Sequence, residues 1–149
     1  ATLYFSGIAA FRSQNTDAEI NYLKKFLNDY PESKYSSFAR YYLALFAQGL
    51  KSDPSRAQEA DALTEKYFKE FIDKHPDKVG PYKASLKHLG DFYYRKEQYA
   101  KALNHYEQLI EKDQNHLSKV VDSMSNCYEQ LGYPETAEQI REVHSQSLN

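Results

Sequence analysis

The chain has 149 residues, a length that suits one domain able to bury its own core. With 41 % hydrophobic and 27 % charged residues it is neither disordered nor membrane-embedded in bulk. A formal net charge of −2, with Lys and Arg interleaved among Asp and Glu, excludes the basic footprint of a nucleic-acid or anionic-membrane binder. The apolar runs are far shorter than a bilayer span. The single cysteine, Cys127, rules out an intramolecular disulfide. The chain opens at Ala1 without Met or a signal-like stretch, and so reads as a processed form or an excised domain.

The composition favours helix throughout, and the breaks fall at regular intervals. A first helix is expected at 2–14. "NTDAE" (15–19) offers Thr16 or Asp17 as N-cap for a second at 17–30, with Tyr22, Phe26 and Tyr30 as its apolar stripe. Pro31 in "YPES" ends it, and Ser33 can cap a third at 34–50. In "SDPS", Asp53 caps a long fourth helix at 54–75 with Pro54 at its first position; Leu63, Tyr67 and Phe71 form its stripe. "HPDKVGP" (75–81) is a break, with His75 expected at a solvated helix end that favours its protonated form. Leu86, Leu89 and Tyr93 mark a helix at 81–96. Ala102, Tyr106, Leu109 and Ile110 mark one at 99–113. A seventh spans 117–131. In "LGYPE" Gly132 stops it and Pro134 opens the last, 135–147. No segment alternates as a strand does. Short connections make neighbours antiparallel, which gives four pairs: 2–30, 34–75, 81–113 and 117–147.

One stretch asks for an explanation. "LKHLGDFYYRKEQYAKALNHYEQLI" (86–110) places Gly90 inside a helix, where glycine costs about 0.5–1 kcal/mol relative to alanine. A close neighbour must need the space. The spacing of Leu86, Leu89, Gly90, Tyr93, Ala102 and Tyr106 resembles the tetratricopeptide repeat (TPR), with Leu86 in place of its Trp and Gln114 in place of its Pro. The resemblance implies an all-α, right-handed superhelix of about eight helices. In it Gly90 and Ala102 lie at the helix crossing, and Tyr93, Tyr99 and Tyr106 fill the wedge. Other copies are weaker. Ser125, Tyr128, Gly132 and Ala137 follow 35 residues after the strong repeat, with Arg141 where an aromatic is expected and a polar tail suited to an array's end. Leu43 and Ala44 stand at the Leu-Gly positions of a further copy. Gly7 and Ala18, with Tyr22 and Phe26, suggest the first.

"FLNDYPESKYSSFARYYLA" (26–44) is similar to a sub-type of this repeat found in bacterial outer-membrane assembly lipoproteins (BamD-like) and periplasmic YbgF-like proteins, through Tyr30, Pro31, Ser33, Tyr35, Ala39, Leu43 and Ala44. That likeness implies the bacterial periplasm or the inner face of the outer membrane. A cytoplasmic repeat protein could share the turn.

The family contacts its ligands through first-helix residues that do not pack within the pair. Carried over, these are Tyr41, Leu45 and Gln48; Lys87, Asp91, Tyr94 and Arg95; and Lys119, Asp122, Asn126, Glu129 and Gln130. The resemblance therefore implies a non-catalytic scaffold that grips a protein or peptide in a concave groove, through a few aromatic or Arg anchors. A cytoplasmic adaptor and the docking part of a larger enzyme are the alternatives, and self-association is open. The carboxylate clamp of chaperone-binding members is disfavoured: Lys87 fits it, but Asp91 stands where Asn is required. No cofactor is expected. His75, His88, His105, His116 and His144 form no zinc pattern, and Asp113 with His116 falls at a helix end. Cys127 is expected to be a small buried residue rather than a nucleophile, and no catalytic motif is present.

Overall fold

The computed structural model describes residues 16–148, and the expected helix 2–14 lies outside them. The described residues form seven α-helices: α1 (Thr16–Asp29), α2 (Ser36–Gly49), α3 (Ala57–Lys74), α4 (Val79–Arg95), α5 (Tyr99–Lys112), α6 (Leu117–Gln130) and α7 (Pro134–Ser147). Short 3-10 turns precede α3 and α6, and no strand occurs among the described residues. The architecture is all-α, as the periodicity predicts. Two compact units divide the chain, Ala1–Tyr82 and Lys83–Asn149, with the boundary inside α4.

The breaks act as their residues dictate. Asp53 accepts from the Ser55 backbone N–H at 3.0 Å and from its hydroxyl at 2.7 Å, but it caps the 3-10 turn Pro54–Arg56, so α3 starts three residues later than expected. Ser33 Oγ accepts from the Tyr35 N–H at 3.2 Å just ahead of α2. α4 begins at Val79, two residues before the expected start, and holds Pro81 in its first turn, where the missing N–H would have no helical partner anyway. Gly132 has φ +92°, and Tyr133 N–H closes back on the Tyr128 carbonyl at 2.7 Å, a left-handed helix end that favours glycine. Thr16 and Asp17 lie inside α1 rather than capping it, and Asp17 pairs with Arg56 at 2.7 Å.

In the first unit α2 packs between α1 and α3. The expected stripe of α1 holds at Phe26 and fails at its two tyrosines. Tyr22 and Tyr30 are 40 % and 54 % exposed, whereas Glu19, Ile20, Leu23 and Phe26 are buried. Counted from Gly7, Glu19, Leu23 and Phe26 hold the offsets that Ala102, Tyr106 and Leu109 hold from Gly90. The small-residue position of this pair is thus Glu19, not the half-buried Ala18. The signal was obscured because a carboxylate stands where a methyl is normal. In the α2–α3 pair, Ala44, Ala60, Thr64 and Phe68 are all fully buried.

His75 also differs from expectation. Its ring is partly buried against Phe71, with centroids 5.1 Å apart, and its Nε2 lies 2.9 Å from Nη1 of Arg40. Arg40 is itself 6 % exposed and also faces Glu70, with Nε to Oε2 at 3.4 Å. Burial first, and the neighbouring guanidinium second, push the His75 pKa below its ordinary 6.5, so the neutral ring accepts from Arg40. The helix end disfavours the imidazolium that a solvated terminus would welcome.

In the second unit α4 and α5 meet at Gly90. A Cβ at that position would stand 2.5 Å from Cε1 and 2.7 Å from Cδ1 of Tyr106 on α5. Leu86, Leu89, Tyr93, Ala102 and Leu109 close around the contact with almost no exposure. α6 packs on both α5 and α7, with Ser125 and Ala137 fully buried at the equivalent small positions. Arg141 takes the aromatic position by reaching out to Glu129 at 2.7 Å.

Candidate partner-binding surface

The sequence-predicted contact residues fall in both units. Tyr41, Leu45 and Gln48, half-buried on α2, belong to the first; the other nine lie on α4 and α6 in the second. On the second unit's face, Arg95, Lys119, Asp122 and Glu129 are exposed, whereas Lys87, Asp91, Tyr94 and Asn126 are half-buried. Spacing of three and four along α4 places Lys87, Asp91, Tyr94 and Arg95 on adjoining positions of one face.

Several of these side chains are committed internally. Asp91 accepts from Lys87 Nζ at 2.8 Å through one oxygen and from the Tyr106 hydroxyl at 2.6 Å through the other. The carboxylate thereby fixes the ring that lies over Gly90, which ties the helix crossing to the candidate face. Burial, and then this bond, push the Tyr106 pKa up. Tyr94 accepts from Asn126 Nδ2 at 2.9 Å and meets the Tyr99 ring edge-on, so it joins α4 to α6. Glu129 is paired with Arg141, an exposed ion pair contributing about 0–1 kcal/mol. The spacing alone could not separate these pinned residues from the outward-reaching Arg95, Lys119 and Asp122.

Tyr106→Phe isolates the link between the crossing and Asp91. Its packing is retained and a hydrogen bond to a carboxylate is lost, so urea unfolding is expected to register a loss of about 1.5–3 kcal/mol. An unchanged midpoint would mean that Asp91 does not hold the ring.

On the first unit, Tyr41 packs on α3, with its ring centroid 5.6 Å from Phe71 and 6.1 Å from Phe68. It also lines a cavity of about 220 Å³ with Ser37, Phe38, Phe71, Lys78 and Val79. Sequence reasoning missed this hollow, although Phe38 lies three residues before Tyr41 on the same helix face.

The remaining candidates are quiet. Cys127 is fully buried, and burial pushes its thiol up to about 11, far from a thiolate at neutral pH. Among the described residues no group of three or more His, Cys, Asp or Glu could hold a metal ion. Asp113 is held below the usual carboxylate range by Lys83, 2.9 Å away, and caps the turn before α6 through the Asn115 N–H. No described helix is long and apolar enough to cross a membrane.

A comparison with protein families matches the tetratricopeptide repeat to residues 2–33 and 86–116. A comparison with curated proteins gives no match. The second matched segment contains Gly90, Ala102 and Tyr106. The first contains Gly7 and the buried series Glu19, Leu23 and Phe26, the pair with the weakest sequence signal. With its all-α helical pairs and its glycine-on-tyrosine crossing, the chain has a tetratricopeptide-like helical repeat fold, and residues 2–33 and 86–116 match that repeat.

Proposed function

We propose that the chain is a non-catalytic scaffold that binds a partner polypeptide on the first-helix faces of its repeats. Tetratricopeptide repeats generally mediate protein–protein interaction, and the family match carries that much. The observation that supports a binding face here is the α4–α6 surface. Asp91, Tyr94 and Asn126 lock its floor, while Arg95, Lys119 and Asp122 extend from it. A rigid floor lowers the cost of ordering on association, and cations at the rim steer an acidic partner.

Arg95→Glu combined with Lys119→Glu tests this reading. Both residues are exposed, so the thermal melt is expected to move by no more than a degree or two. Partner capture from native extract, quantified by mass spectrometry, is expected to fall at least about tenfold. Undiminished capture by the folded double variant would put the binding face elsewhere.

For setting, we propose a bacterial envelope assembly complex, on the likeness of residues 26–44 to the BamD-like and YbgF-like sub-type. In support, Ala39, Leu43 and Ala44 of that pattern are fully buried, and the Ser33 N–H bonds the Tyr30 carbonyl at 3.2 Å across Pro31. Fractionation of the native organism tests it: recovery with the periplasm or outer membrane supports the envelope, and recovery with cytosol overturns it.

A further inference from the structure

The hollow beside Tyr41 differs in character from the α4–α6 face. At about 220 Å³ it is below the range of small-molecule sites, roughly 300–1,000 Å³, and has room for one large side chain. Its floor is Phe71, 1 % exposed, with Tyr41 tilted against it; Phe38 and Val79 stand at the rim, 43 % and 50 % exposed. Lys78 and Ser37, a residue only 3 % exposed, complete a wall that is almost wholly apolar. No carboxylate lines the cavity. Lys78 makes a loose pair with its neighbour Asp77 at 4.0 Å, and the Asp77 side chain is 72 % exposed. Ser37 and Phe38 open α2, and Val79 opens α4, so the positive ends of two helices adjoin the lining.

An apolar hole lined in part by a lysine, with two helix amino ends adjoining, is complementary to an apolar side chain carried next to a negative charge. We propose that this cavity is an anchor site for a partner polypeptide in which one large aromatic or aliphatic residue is followed directly by Asp or Glu. The apolar side chain enters between Tyr41, Phe71 and Val79, and the neighbouring carboxylate meets Lys78. The proposal rests on the scaffold reading and gives it a partner chemistry.

The test is an NMR titration of the full chain with three capped dipeptides: N-acetyl-phenylalanyl-glutamyl-amide, its phenylalanyl-lysyl counterpart and its alanyl-glutamyl counterpart. The first is expected to shift the amides of Ser37, Phe38 and Val79 and to bind at least about threefold more tightly than the lysyl peptide; the alanyl peptide is expected not to bind. Val79→Glu places a carboxylate at the exposed rim and should weaken binding about tenfold, and Lys78→Glu should reverse the preference between the charged peptides. If either variant fails to fold, the wild-type preference alone decides. Equal binding of the two phenylalanyl peptides, or shifts scattered outside the cavity, overturns the proposal. Self-association that Val79→Glu abolishes would seat a second copy there and overturn it too. Partner capture that survives Val79→Glu while the dipeptides do not bind refutes the anchor site and leaves the scaffold reading standing. Absence of capture by the wild-type chain counts against the scaffold itself.

Discussion

Gly90→Leu is expected to unfold the second unit, and even Gly90→Ala is expected to destabilise it. In an ordinary helix interior, alanine would be better than glycine by about 1 kcal/mol. Here the added methyl would sit 2.5 Å from the Tyr106 ring. The ring cannot swing aside, because it is fully buried and its hydroxyl is held by Asp91 at 2.6 Å. Overpacking of this kind costs about 1–3 kcal/mol for a small group and more for a branched one. Urea unfolding should therefore show Gly90→Ala less stable by about 1–2 kcal/mol, and Gly90→Leu without a cooperative transition. Gly49→Ala is the matched control, since it ends α2 with nothing within 4 Å of the added Cβ. It should stabilise by a few tenths to about 1 kcal/mol. If both alanine variants stabilise alike, the helix crossing is not where Gly90 acts.

The crossing was legible in the sequence because glycine inside a helix is unfavourable and has few physical reasons to be there. The same holds for the breaks: Pro31, Asp53, Gly132 and Pro134 each act through fixed backbone chemistry, and helix limits fall within three residues of expectation. What the sequence concealed depends on tertiary neighbours. His75 looks like a solvated helix end until Arg40, 35 residues away, is seen at 2.9 Å. Asp91 looks like an open surface carboxylate until Tyr106 is seen to occupy it. Tyr22 and Tyr30 look like core because aromatics usually are, yet of the expected stripe only Phe26 is buried, and Ile20 and Leu23 share its face. The floor of the α4–α6 face and the hollow beside Tyr41 share this origin. Each is made by side chains from different helices, and helical spacing reports only on one helix at a time.

Glu19 shares the buried face of α1 with Leu23 and Phe26, and Glu19→Gln is expected to stabilise the first unit at pH 8 but not at pH 4. Glu19 is fully buried in the first turn of α1, and neither carboxylate oxygen has a hydrogen-bond partner. The helix amino end favours the anion by about 0.3–1 kcal/mol. Desolvation outweighs this and raises the pKa from 4.5 to about 7. Because the folded chain holds its proton more tightly than the unfolded one, the protonated group's contribution is intact below about 4.5. It is lost as pH rises towards 7, and above 7 the loss is constant. That interval corresponds to about 3 kcal/mol at full desolvation, and screening at a helix end reduces the expected gain from Gln to about 1–2 kcal/mol. His75 acts with the opposite sign: its depressed pKa removes stability as pH falls below 6.5. The two slopes overlap in the wild type, so a single pH curve cannot separate them. The difference between Glu19→Gln and wild type, measured by urea unfolding at pH 4, 6 and 8, cancels the histidine. That difference should be near zero at pH 4 and should grow towards pH 8. A difference independent of pH would mean that Glu19 finds a partner for its charge and that the small-residue position of the first pair is built differently.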